Sequence, residues 1–93
     1  MTVITLAALG IKFDQASIDA PAGQAFSIAF DNRDTGIPHN VYITDAGGKT
    51  VFDGGTPITG PAQKTYDVPA LQAGTYMFHC VVHPTMVGTL TVK

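Results

Sequence analysis

All-β is the fold class that the sequence predicts, on three observations. The chain of 93 residues has no Glu and no Trp but ten Gly and six Pro, and it is rich in Thr, Val and Ile. That mixture is short of strong helix formers and well supplied with strand and turn residues. Apolar residues alternate with small or polar ones in short runs, the period-2 pattern of strands with one buried face. Turn-forming clusters divide those runs at intervals close to those of sandwiches, so about eight short strands in two packed antiparallel sheets are expected. At this length one core is available, burying about 60–65% of the unfolded chain's surface. No internal repeat, boundary or low-complexity segment interrupts the chain, and residues 1–93 are expected to form a single domain.

Val3 to Ala8 and Ile11 to Phe13 read as a first strand with an irregularity at Gly10. Ala20-Pro21-Ala22-Gly23 is a turn, and Gln24 to Asp31 follows as a strand with Phe26, Ile28 and Phe30 on its core face. Asp31 to Gly36 is a polar loop leading through Ile37-Pro38-His39-Asn40 into Val41 to Thr44. His39 shares parity with Val41 and Ile43, so its imidazole should point inward at the start of that strand. Asp45 to Lys49 is a hairpin turn, followed by a strand from Thr50 to Asp53. Gly54 to Pro61 is a long loop rich in breakers with no periodicity to assign. Gln63 to Val68 reads as a strand, and from Thr75 onward Tyr76, Phe78 and Cys80 lie on one face with Met77 and His79 on the other. Gly88 to Val92 closes the chain as a strand of clean alternation.

The formal net charge is −2, and the five basic residues are scattered, which argues against a nucleic-acid partner. No apolar run approaches the ~20 residues that span a bilayer, so membrane insertion is not expected. The first residues lack the basic start and apolar stretch of a signal peptide, a pattern compatible with a mature form or an excised domain. A lone cysteine makes no internal disulfide and leaves the redox compartment undetermined.

That cysteine carries the chemistry. Cys80, His83 and Met86 follow one another at intervals of three, and they can meet at one ion if the loop turns back on itself, aided by Pro84 and Gly88. The set is soft and poor in oxygen, unlike the donors that calcium and magnesium take. Copper is favoured, above all in a trigonal site of two histidines and one cysteine with a long axial methionine. Such a site needs a second histidine. An inward histidine is more often a hydrogen-bonded core residue than a ligand, but the missing nitrogen raises the ligand reading for His39.

Cys80-x2-His83-x2-Met86, Pro38-His39-Asn40 and Gly74-Thr75-Tyr76-Met77-Phe78 together resemble the cupredoxins, over nearly the whole chain from Phe26 to Val92. By ligand-loop spacing the chain is most similar to the amicyanins and plastocyanins. Its short interval from histidine to methionine is like the former and departs from the longer gap of the latter. The resemblance implies a Greek-key β-sandwich with one type 1 blue copper ion that carries single electrons. His39, Cys80 and His83 would match the equatorial ligands and Met86 the axial one. It further implies a non-enzymatic, monomeric carrier outside the cytoplasm, in the periplasm or at the cell surface. Redox partner proteins would dock briefly at an apolar patch near His83, formed with Leu9, Gly10, Ile37, Pro38, Pro84 and Thr85. Phe13, Phe30, Phe78 and Val41 are expected to keep water from the metal.

Asn40 is either a turn residue or the asparagine that ties the two ligand loops together. His79 precedes the cysteine but faces away, which suits a surface residue on a route for electrons better than a further ligand. Tyr76 is expected to be a buried structural tyrosine with its hydroxyl satisfied. Met77 has the wrong parity for the metal. A copper storage or delivery module could use the same donors. A cysteine hydrolase would need an open cleft beside Cys80, and zinc would make poor use of a thioether.

Overall fold

The structure, a computed structural model, describes residues 2–93. Among them are the strands β1 (Thr2–Ala8), β2 (Ser17–Ala20), β3 (Phe26–Asn32), β4 (Pro38–His39), β5 (Tyr42–Thr44), β6 (Thr50–Phe52), β7 (Ile58–Thr59), β8 (Ala62–Val68), β9 (Gly74–His79) and β10 (Val87–Val92). One sheet runs β1-β3-β8 and the other β2-β10-β9-β5-β6, with β4 and β7 forming a short ribbon of their own. The expected all-β sandwich is what the chain adopts. Its pairings are not all antiparallel, however: β1 lies parallel to β3, and β2 lies parallel to β10.

The alternation that marks each strand becomes burial. Phe26, Ile28 and Phe30 of β3, Tyr66 and Val68 of β8, Phe78 of β9 and Leu90 and Val92 of β10 join one core. Each fully buried side chain of this size is worth about 1.5–3 kcal/mol over an exposed one. The Phe13 ring meets Phe78 edge-on at a centroid distance of 5.1 Å, and Phe30 at 6.3 Å. Gly88 lies opposite Phe78 in the β9–β10 ladder. A Cβ there would stand 2.2 Å from the ring's Cζ, so the ring needs a glycine to lie across the neighbouring strand.

Four local readings need correction. Ile11–Phe13 does not continue the first strand, because Gly10 (φ 67°) and Ile11 (φ 57°) are both left-handed and turn the chain out. Phe13 returns only as an isolated bridge to Ala8, and the loop is closed by Asp14 N–H donating to Ala7 O at 2.8 Å. Ser17–Ala20 is a strand that the expected set omits; only Ile18 and Ala20 point inward, too few to announce it. The breaker-rich loop contains β7, whose two residues pair with Pro38 and His39. Tyr76, expected to be buried, is half-exposed and donates its hydroxyl to Gln72 O at 2.8 Å.

Tyr66 yields a prediction of its own. Burial pushes its phenol up to about 12, against the opposing backbone of Val41. An unfolded tyrosine ionises near about 10, so the folded state holds this proton more tightly between those values. Its stabilising contribution is complete below pH about 10 and is lost as pH rises toward about 12. Phenolate absorbance should show one late step that Tyr66→Phe removes. Ionisation of all tyrosines together near pH 10 in the folded protein would refute it.

Candidate metal centre

The β5–β9 register sets the site. Tyr42 pairs with His79 in an antiparallel ladder, so stepping back from Tyr42 to Asn40 matches stepping forward from His79 to Val81. Asn40 seals that extension: its Oδ1 accepts the Val81 N–H at 3.0 Å and its Nδ2 donates to Gly55 O at 2.9 Å. Asn40 is fully buried, and of its two readings the tie between ligand segments is the one the structure bears out. Parity does the rest. His39, Val41 and Ile43 are all buried on one side, and Phe78 and Cys80 are buried on the other strand.

The loop after β9 turns by two successive backbone bonds, His83 N–H to Cys80 O at 3.3 Å and Met86 N–H to His83 O at 2.9 Å. Each bond spans the interval between two candidate donors, which is why the spacing of three brings them together. The Cys80 N–H donates to Met86 O at 3.1 Å and closes the loop. Met86 is buried, whereas His83 is half-exposed.

His39 Nδ1 lies 3.8 Å from Cys80 Sγ, and His83 Nδ1 lies 3.7 Å from it. The three donor atoms fall within 4.8 Å of one another, and the two imidazole centroids are 4.8 Å apart. The sulfur–nitrogen distances are long for hydrogen bonds but suit a shared ion. Metal bonds of about 2.0 Å to nitrogen and about 2.3 Å to sulfur, opened to 120°, separate the two donors by about 3.7 Å. The residues therefore fit a trigonal metal ion, and the mixed sulfur and nitrogen set is the one that copper accepts in both oxidation states.

Of the residues expected to keep water from the metal, Val41, Phe30 and Phe78 are fully buried, and Phe13 packs partly buried against the same core. His79 and Met77 point away from the site as expected. The His79 ring lies 5.7 Å from that of Tyr42, and Met77 is 45% exposed.

Two residues that sequence reasoning left in a polar loop prove to be buried behind His39. Asn32 donates to Ile37 O at 2.9 Å and to Ile58 O at 2.8 Å, fastening the loop before His39 to β7. Asp34 Oδ2 lies 2.6 Å from His39 Nε2. Burial alone would raise the Asp34 pKa, but His39 and the N–H groups of Ile11 and Gly10 outweigh it and hold the carboxyl below the usual carboxylate value. A loop carboxylate at an arbitrary interval from a histidine has no periodic signature to find.

Strand order, inward cysteine and converging imidazoles define a β-sandwich protein with a candidate metal site of two histidines and one cysteine. The cupredoxin-like domain family matches residues 2–92, and the chain belongs to that family. Amicyanin of Paracoccus denitrificans is 30% identical over 86 residues, covering 89% of this chain and 60% of that relative. The chain thus spans about 60% of the length of the curated relative it matches. Among solved structures, the reduced auracyanin of Roseiflexus castenholzii superposes with a TM-score of 0.87 at 21% identity, over 100% of this chain and 98% of that one. Auracyanin A of Chloroflexus aurantiacus, described as a "blue" copper protein, gives a TM-score of 0.78 at 22% identity, over 99% and 98%. Amicyanin of Paracoccus versutus gives 0.73 at 19%, over 98% and 81%.

Proposed function

We propose that the chain, as one domain of residues 1–93, holds a single type 1 copper ion and carries electrons singly. The carrying observation is the approach of two imidazole Nδ1 atoms to one buried cysteine sulfur at 3.7 and 3.8 Å. His39, Cys80 and His83 would hold the ion, with the thioether of Met86 as a further, weaker donor. Bound copper supplies a one-electron couple between Cu(II) and Cu(I). The protein's own part is to hold one geometry for both states. Asn40 locks the two ligand segments together, and the two turns of the 80–86 loop fix Cys80, His83 and Met86 relative to one another. A trigonal arrangement lies between the preferences of the two oxidation states, so little rearrangement accompanies transfer.

Cys80 is fully buried and faces the core. That denies a substrate the approach a cysteine hydrolase needs, and the protein is a carrier rather than an enzyme. A delivery module would need donors that open readily, whereas His39, Cys80 and Met86 are all buried. The half-exposed His83 is the point of electron exchange, and a redox partner protein docks beside it over the apolar rim. Leu9, 61% exposed, supports that surface, since its neighbour Gly10 reaches Asp34 behind His39. Brief encounters of this kind use small contact areas. We further propose that the protein works as a monomer outside the cytoplasm, as its resemblance to blue copper carriers implies.

Copper(II) added to the apoprotein tests the proposal through visible absorption and electron paramagnetic resonance. An intense blue band with narrow copper hyperfine splitting is expected. A colourless or weakly coloured complex would overturn it.

A further inference from the structure

Asp34 is not a ligand, yet the structure builds a holder around it. Gly10 N–H donates to its Oδ1 at 2.5 Å and Ile11 N–H to its Oδ2 at 2.9 Å. Those two successive amides converge because both residues are left-handed, at φ 67° and 57°. Paired amides in such a turn form a concavity for an anion. The left-handed region is an uncommon place for isoleucine, and a residue kept there points to a use for the conformation. Asn32 Oδ1 accepts the Asp34 N–H at 3.0 Å and fixes the backbone from the other side. Arg33, the adjacent cation, is turned away to Asp31 at 2.9 Å, so it does not neutralise Asp34.

The carboxylate faces the ring nitrogen of His39 that the metal does not use, at 2.6 Å. An ionised carboxylate only accepts, so Nε2 must carry the proton and Nδ1 must present its lone pair toward Cys80. We infer that Asp34, clamped by the Gly10–Ile11 turn, is a positioning residue that fixes the tautomer and aim of His39 and biases the centre toward the more highly charged metal ion. The inference rests on the proposed metal site. A carboxylate behind a ligating imidazole strengthens it as a donor. Its negative charge in a buried place, which Arg33 does not offset, also favours a divalent ion over a monovalent one.

Three variants test it: Asp34→Asn, which keeps an acceptor but removes the charge, Asp34→Ser, which leaves the two amides free for water, and Asp34→Glu, which restores the charge. Zinc(II) affinity of each apoprotein is measured by competition with a chromophoric chelator, and the copper potential by voltammetry. Asp34→Asn is expected to weaken zinc(II) binding by about tenfold or more. Copper(II) should lose more affinity than copper(I), raising the potential by about 59 mV for each tenfold differential. Asp34→Ser should behave the same way, and it carries the comparison if the Asn variant fails to fold. Asp34→Glu should return toward wild type in both readouts. Affinities that fall together at an unchanged potential would reduce Asp34 to a structural role and overturn the inference, as would no change in either. Wild-type protein that takes up copper without turning blue would instead count against the proposed function, and the zinc comparison would still read the charge effect.

Discussion

Replacing Cys80 by serine abolishes the intense blue colour on copper addition and leaves the sandwich folded. The colour of such a centre needs a thiolate bonded to copper(II), and an alcohol is neither ionised at neutral pH nor soft enough to replace it. The substitution is nearly isosteric, and the buried hydroxyl does not go unpartnered. His39 Nδ1 and His83 Nδ1 flank the sulfur at 3.8 and 3.7 Å, and the smaller oxygen needs only a small shift to bond one of them. The apoprotein should therefore lose no more than about 1–2 kcal/mol, the scale of one hydrogen bond made or unmade. Visible absorption and apoprotein unfolding decide the two halves separately. Full colour in the variant would remove Cys80 from the site, and an unfolded apoprotein would show that the thiol is needed for packing.

Gly60→Ala is expected to cost the fold directly, through a clash with backbone. A Cβ at residue 60 would lie 2.3 Å from Asp34 O and 2.9 Å from Asn32 Oδ1. The first is backbone and the second is bonded to the Asp34 N–H, so neither can rotate aside. The two chains are held at this separation by Gly36 N–H to Gly60 O at 2.9 Å and Gly60 N–H to Ile37 O at 3.2 Å. Overpacking a tight site costs about 1–3 kcal/mol, and a clash with backbone belongs at the upper end. Gly47→Ala is the control, because its Cβ would meet only Asp45 Oδ1 at an ordinary 3.4 Å in an exposed turn. Denaturant midpoints should separate the two variants by about 2–3 kcal/mol. Equal midpoints would mean that the loops before His39 and β8 are not packed as closely as described.

Much of this centre was legible because its chemistry is local or periodic. Cys80, His83 and Met86 announce themselves through one repeated interval, and the turn bonds within the loop follow that interval. His39 was reachable through parity with Val41 and Ile43, all of which are buried. What escaped depends on contacts between distant segments. Asp34 meets Gly10 and Ile11 across more than twenty residues of chain, and neither partner has a side chain that hints at the meeting. The left-handed Ile11 breaks the usual preference for glycine, so the apolar pattern of Ile11–Phe13 suggested a strand where there is a clamp. The parallel partners β1 and β2 were hidden for a related reason: alternation reports which face is buried, not which strand lies alongside or in which direction.

The parallel pairing of β2 with β10 also bears on how the chain is made. Ser17–Ala20 takes its place against Thr89–Val92, and Lys93 N–H still reaches back to Ala20 O at 3.2 Å. During translation, therefore, β2 lacks its sheet neighbour among the described strands until β10 leaves the ribosome. β1, β3 and β8 can assemble earlier, since their partners all precede residue 69. Cys80 and the 80–86 turns arrive in the same late stretch as β10. His39 is thus synthesised well before its fellow donors, and a nascent chain has no complete metal centre to offer until its second sheet can close.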